Sequence, residues 1–288
     1  MTTTGGPGAP EAEAPVCPRH PDRVAYVRCQ RCGRPVCPAC QVPSAVGVHC
    51  VDCATRASSG RRAPTTVLGG RLTGGSTLIT KALIAVCVVV FIAQKLPAAT
   101  GMGLDVVRDL ALVPAFVGAE PWRLLTSALL HGSIMHLAFN MWALWVLGEA
   151  LEPLLGRWRY SALMALGALG GSTAVYWLSS PDSLDWYTAT VGASGAVFGL
   201  FAALFVIQRR FGRDTTSIVG ILVLNLVFSF TAAGISWQGH LGGLVTGGIV
   251  AAIYAWAPRE RRGALSAAGT GAVALLLVGL VALRLASV

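Results

Sequence analysis

Seven apolar blocks govern the sequence from residue 78 onward, at about 78–96, 133–151, 160–179, 189–207, 217–233, 236–257 and 264–283. Each is close to the ~20 residues that an α-helix needs to cross the hydrocarbon of a bilayer. In lipid every backbone N–H and C=O must be paired within the protein, so repeated blocks of this length restrict the chain to a helical bundle. The predicted fold class is therefore an all-α polytopic membrane protein. Composition agrees: 54% of residues are hydrophobic and 12% are charged, against roughly 25% charged in a soluble domain.

The region before the first block is different in kind. It is polar and rich in Pro and Gly, and it holds seven of the eight cysteines. Residues 1–16 are of low complexity and are expected to be disordered. Four pairs then follow, each separated by two residues: Cys17 and His20, Cys29 and Cys32, Cys37 and Cys40, Cys50 and Cys53. Such pairs aim both donor atoms into one site, and eight donors suffice for two tetrahedral Zn²⁺ ions. So short a segment has little core, so the metal is expected to supply its folding free energy. The alternative is a disulfide framework. No apolar segment precedes Leu78, however, so these thiols are expected to lie in a reducing cytosol. The favoured pairing is cross-braced, with Cys17/His20 joined to Cys37/Cys40 and Cys29/Cys32 to Cys50/Cys53. His49 is read as a surface residue. Residues 54–77 read as a flexible Ser/Gly/Arg-rich linker.

The net charge of +9 raises the possibility of nucleic-acid binding. Most of the basic residues lie in the N-terminal arm or in short turns between apolar blocks, the distribution that membrane topology demands, and no nucleic acid is expected. With the N terminus in the cytoplasm, Arg157, Arg159, Arg209, Arg210, Arg213, Arg259, Arg261 and Arg262 all fall on the inner side. A multi-pass protein of the cell (plasma) membrane is expected, with its C terminus outside. The connection 97–132 mixes apolar patches with Pro121-Trp122-Arg123, which suits the outer interface.

Helices two, four and six then run in the same direction, and each carries polar residues near its outer start. Ser194 stands in Gly192-Ala193-Ser194-Gly195, with little steric cover, and is expected roughly 7–8 Å below the start of helix four at ~1.5 Å per residue. His240 is expected four residues into helix six, and His136 and Asn140 share one face of helix two at i and i+4. Ionisable groups in a membrane bundle read as functional by default. Ser194 and His240 together make a nucleophile and a general base. Interhelical hydrogen bonding is the alternative role for His136 and Asn140. Glu149 and Glu152 sit at the inner end of helix two, away from His240, so a Ser–His dyad is expected rather than a triad. Phe198, one turn beyond Ser194, is expected to stack on His240. Gly243 and Gly247 form a small-residue stripe that lets helix six approach helix four closely.

Taken in order, Trp122-Arg123, His131-Gly132 with His136 and Asn140, Gly192-Ala193-Ser194-Gly195, and His240-Leu241-Gly242-Gly243 with Gly247 resemble the rhomboid intramembrane serine proteases. The similarity spans residues 78–257, and the block 264–283 resembles the additional C-terminal helix of some members. Residues 17–53 resemble a B-box-type zinc-binding domain. The rhomboid resemblance implies a six-helix core plus a seventh helix and cleavage of transmembrane protein substrates near the outer surface of the lipid bilayer. It also implies Ser194 as nucleophile, His240 as base, and oxyanion donation by His136, Asn140 and the Ser194 backbone N–H. The zinc domain leaves room for a cytosolic protein partner. Two rivals stand beside this reading: a proteolytically silent relative that binds transmembrane clients, and a small transporter. A transporter often shows an internal repeat, and none is visible here.

Overall fold

The computed structural model describes residues 13–59, 65–70, 77–96, 105–231 and 234–288. The chain forms two compact units, Met1–Ala63 and Pro64–Val288.

In the first unit two small antiparallel hairpins, β1 (Val16–Cys17) with β2 (His20–Val24) and β3 (Gln41–Ser44) with β4 (Gly47–Cys50), are followed by helix α1 (Val51–Ser59). Its buried cluster consists of six cysteines with only Ala25 and Val36 beside them. A core of that make-up buries too little apolar surface to hold a fold by itself, so the thiols must be doing more than packing. The expected disordered tail lies outside the described residues as far as residue 12. Helix α1 runs past residue 53, into the stretch read as linker.

The second unit is built from α2 (Leu78–Lys95), the short α3 (Val106–Leu110) and α4 (Arg123–Thr126), and six further helices. These are α5 (Ile134–Leu155), α6 (Arg157–Leu178), α7 (Ser194–Arg210), α8 (Thr216–Thr231), α9 (Trp237–Trp256) and α10 (Arg262–Ser287). The seven long helices fall on the seven apolar blocks. Five of them, α2, α5, α6, α9 and α10, are long and apolar enough to cross a membrane, whereas α8 is a shorter apolar helix of 16 residues. Helix α7 has 17 residues. At about 1.5 Å per residue it extends about 25 Å, less than the ~30 Å of hydrocarbon.

Helix α7 is the axis of the bundle, packed against α6 and α9, with most of its residues buried. Large apolar side chains point outward instead from α2, α8 and α10, among them Val89, Leu224, Phe228, Leu275 and Leu276. A helix that shows apolar residues to its surroundings is at home only in lipid.

At one end of the bundle the Glu152 carboxylate accepts from the backbone N–H groups of Ile79 and Thr80, both at 2.9 Å, and from Thr80 Oγ1 at 2.8 Å. A carboxylate seated on the free N–H groups of a helix start satisfies donors that the helix cannot pair itself. Glu149 accepts from Thr77 Oγ1 at 2.8 Å. Both acids are thus occupied in anchoring α2. Nearby, Leu68 is fully buried and Thr66 Oγ1 donates to the Leu154 carbonyl at 2.5 Å, so part of the stretch read as linker is packed into this unit. Helix α10 is fastened to α6 by bonds from Trp177 Nε1 to Leu280 O (3.0 Å) and from Arg159 Nε to Ser266 Oγ (3.1 Å). In the connection between α2 and α5, Arg123 is buried. It pairs with Glu120 and donates to the Ala111 carbonyl at 2.7 Å.

Candidate active site and metal centres

The start of α7 determines where Ser194 stands. Thr190 and Leu112 exchange backbone hydrogen bonds of 2.7 and 3.1 Å, which keeps the chain extended up to that point. Gly192 then takes φ +134°, a conformation that side chains resist. A Cβ there would also lie 2.8 Å from Cε1 and Nε2 of His136. Helical conformation therefore begins only after this glycine, and Ser194 is the first residue of α7, with Ala193 before it. The expected helix start near residue 189 is corrected: Ser194 stands at the helix mouth rather than a turn and a half inside it. Its side chain is half-buried and, among the described residues, makes no hydrogen bond.

Helix α9 lies directly against this start. A Cβ on Gly243 would collide with the backbone of Gly195, and one on Gly247 with the backbone of Gly199. The two helices are thus in backbone contact, as small-residue stripes permit. His240, on the fourth position of α9, is buried, and its ring stacks on Phe198 with centroids 4.2 Å apart and planes 14° apart. Its Nδ1 is 2.6 Å from Ser229 Oγ of α8.

Helix α5 supplies the remaining predicted residues. Ser133 caps it, accepting from the His136 backbone N–H at 3.1 Å, which places His136 in the first turn. The Gly132 backbone N–H donates to His136 Nδ1 at 3.5 Å. A ring nitrogen that accepts leaves the proton on the other, so His136 carries N–H at Nε2, the edge facing Gly192. Asn140 is buried one turn further on, and its amide donates to the His136 carbonyl at 2.9 Å. One amide N–H is thereby used within the helix, and a second is left. His131 is fully buried edge-on to His136, with centroids 5.1 Å apart. Its backbone is clasped by the Gln94 amide in two bonds of 3.1 Å.

The fold thus gathers side chains from α5, α7 and α9 beside one backbone turn, and the sequence comparisons match this same region. The rhomboid domain family matches residues 118–257. The candidate rhomboid protease YdcA of Bacillus subtilis is 34% identical over 148 residues, which covers 50% of this chain and 71% of that protein. The chain belongs to the rhomboid family. The rhomboid protease GluP of Bacillus subtilis is 39% identical over 138 residues, 46% of this chain and 26% of GluP. The chain therefore spans only about a quarter of GluP's length. An uncharacterized protein of Mycobacterium tuberculosis, Rv1337, is 31% identical over 229 residues, 75% of this chain and 90% of its own. Family membership and the five long apolar helices together make this a multi-pass membrane protein.

The matched rhomboid region leaves out the N-terminal unit, which carries chemistry of another kind. There the donor atoms of Cys17, His20, Cys37 and Cys40 lie within 4.8 Å of one another, and so do those of Cys29, Cys32, Cys50 and Cys53. These are the two interleaved sets expected from the spacing, and each is able to hold a metal ion. Titration behaviour fits such a role. Backbone hydrogen bonding, led by the Cys37 N–H, draws the Cys17 thiol down to about 6. Burial, then the neighbouring thiols of Cys17 and Cys37, pushes Cys40 up to about 11. In the other set Cys53 is pushed up to about 12, first by its hydrogen bond with Cys50 and then by burial. Thiols crowded like this cannot all ionise unless a cation joins them. His49, on β4, belongs to neither set.

One contact at the candidate site was not foreseen from sequence, that between Ser229 and His240. The signal was present, because Asn225 and Ser229 are spaced i, i+4 in an otherwise apolar block and so share a face. Gln94, which ends an apolar helix and clasps His131, is a second polar residue whose partner could be found only in three dimensions.

Proposed function

We propose that this chain is an intramembrane serine endopeptidase that cuts transmembrane helices of membrane proteins near the outer surface. Ser194 acts as nucleophile and His240 as its base. The observation that carries the reading is the start of α7: Gly192 turns the chain so that Ser194 leads a helix held in backbone contact with the His240 helix. The first N–H groups of that helix have no partner within it and form its positive end. An oxyanion formed by attack of Ser194 Oγ on a peptide carbonyl lies beside those N–H groups. His136 Nε2–H and the spare Asn140 N–H add side-chain donors. His240 takes the Ser194 proton as the Oγ–C bond forms. It then delivers that proton to the amide nitrogen as the peptide C–N bond breaks, and water releases the acyl chain by the reverse steps. No bond joins Ser194 to His240 among the described residues, and such bonds often tighten only when substrate is bound.

Support for an intramembrane site comes from the short α7 and from the non-helical 188–192 segment before it. Non-helical backbone at membrane depth is tolerated where it is enclosed by protein or lines a wet cavity, and hydrolysis needs that water. Proteases are named among the relatives. In this proposal residues 17–53 are a cytosolic domain holding two Zn²⁺. Residues 78–257 are the protease core and 264–283 an accessory helix. The protein sits in the plasma membrane with its N terminus inside and its C terminus outside. Zinc suits all-thiolate and thiolate–imidazole donor sets of four.

A serine-reactive fluorophosphonate tests the nucleophile directly. Membranes containing the wild-type chain are expected to label, and those with Ser194→Ala or His240→Ala are expected not to. Equal labelling of wild type and Ser194→Ala would remove Ser194 from the role.

A further inference from the structure

We infer that Ser229 is a positioning residue for His240, holding its imidazole in the one tautomer that leaves Nε2 free to act as base. This rests on the protease reading above and adds a third residue to the pair.

The inference follows from counting protons. Ser229 Oγ lies 2.6 Å from His240 Nδ1 and 2.7 Å from the Asn225 backbone carbonyl. Both separations are hydrogen-bond distances. A serine hydroxyl has one proton, and a carbonyl oxygen can only accept. The Ser229 proton is therefore given to Asn225 O, the i−4 bond that serines make within helices. The contact with His240 must then be filled by the ring: Nδ1 carries the hydrogen and Ser229 accepts it. A neutral imidazole protonated at Nδ1 has its lone pair at Nε2. That is the nitrogen required to take the Ser194 proton. When it does so, the imidazolium keeps Ser229 as the acceptor for Nδ1–H, and a hydrogen bond to a charged donor is stronger than one to a neutral donor.

Placement supports a dedicated role. Helix α8 buries only Ile218 and Ser229, and its other polar side chain on that face, Asn225, is exposed. An apolar helix directed at lipid thus turns one hydroxyl into the bundle, and that hydroxyl meets the base. The His240 ring is then fixed in two ways, by Phe198 across its face and by Ser229 at its edge. Among the described residues no carboxylate is bonded to His240, and Glu149 and Glu152 are engaged with α2 at Thr77, Ile79 and Thr80.

The test uses the full-length chain reconstituted in lipid vesicles with a single-span substrate. Removing the acceptor of a charged donor is expected to lower kcat roughly tenfold to a hundredfold in Ser229→Ala, with KM unchanged because Ser229 acts through His240. Ser229→Thr keeps a hydroxyl that can bond to the i−4 carbonyl, and it is expected to restore kcat to within a few-fold of wild type. In ¹⁵N spectra of histidine-labelled protein, the resonances lost in His240→Gln are expected to report a protonated Nδ1 and a bare Nε2. In Ser229→Ala they should become a mixture of tautomers. Wild-type kcat in Ser229→Ala, no recovery in Ser229→Thr, or a proton on Nε2 in the wild type would each overturn the assignment while leaving Ser194 in place. An active Ser194→Ala would remove the protease reading itself.

Discussion

At the scale of single residues, the proposed chemistry depends on which nitrogen of each histidine carries a proton. His136 accepts at Nδ1 from Gly132, which makes its Nε2 a donor. That is the form suited to an oxyanion. Asn140 spends one N–H on the His136 carbonyl and so has a single donor to offer. Asn140→Ala is therefore expected to retain weak activity, with kcat lowered roughly 10²–10³-fold, the usual effect of deleting one oxyanion donor. Steady-state cleavage of a transmembrane substrate by the purified variant measures this, and unchanged kcat would take Asn140 out of the site. Asp185 is engaged with Ser183 within its own loop. Replacing it with Asn is expected to leave kcat within about twofold of wild type, since small surface changes away from a site act weakly. The same cleavage assay checks it, and a loss as large as that of His240→Ala would require a carboxylate in the mechanism. The residue types at the site were legible from sequence because polar side chains are conspicuous in apolar helices. Their hydrogen bonds were not, because spacing fixes which residues share a face but not which neighbour meets them. Ser229 and His240, eleven residues apart on different helices, show the limit.

At the scale of helices, the apolar blocks foretold the elements well and their ends less well. Block 189–207 is apolar throughout, yet its helix starts at Ser194. The reason is a backbone one: Gly192 sits at φ +134°, and Thr190 is tied to Leu112. Hydropathy is blind to both. The glycine stripe on α9 is the close-approach surface that its spacing predicts, and it yields a sharp expectation. In Gly243→Ala the new methyl meets the Gly195 backbone, including its Cα at 2.8 Å, and no flexible side chain is there to yield. Overpacking of this kind costs roughly 1–3 kcal/mol. A lowered midpoint in thermal unfolding is expected, together with at least a tenfold drop in cleavage as His240 is moved away from Ser194. Wild-type cleavage by Gly243→Ala would show that the backbone contact between α7 and α9 is dispensable.

At the scale of the whole molecule, two units with different chemistry share one chain. The bundle is legible from its apolar blocks, and the two metal sets from four Cys/His pairs, each separated by two residues. The packing of Leu68 into the helical unit was hidden in a stretch whose composition reads as tether. Two zinc ions per chain are expected by metal analysis of the purified protein, and fewer than two would count against the paired sites. Thiols pushed up to about 11 at Cys40 and about 12 at Cys53 must lose their protons when metal binds. Metal affinity is therefore expected to fall as pH falls and protons compete for sulfur, which a chelator competition run across pH measures. Affinity independent of pH would exclude thiolate ligation. For topology, a cysteine introduced at Ser183 should react with an impermeant maleimide added to intact cells, whereas one at Ser217 should not. Labelling at Ser217 would invert the orientation.

The most direct test of the central claim is cleavage of a single-span substrate by the purified chain in sealed vesicles, with the products identified by intact mass. The account predicts one cut near the outer end of the span by the wild type, and none by Ser194→Ala or His240→Ala. Cleavage by Ser194→Ala at the wild-type rate would contradict it.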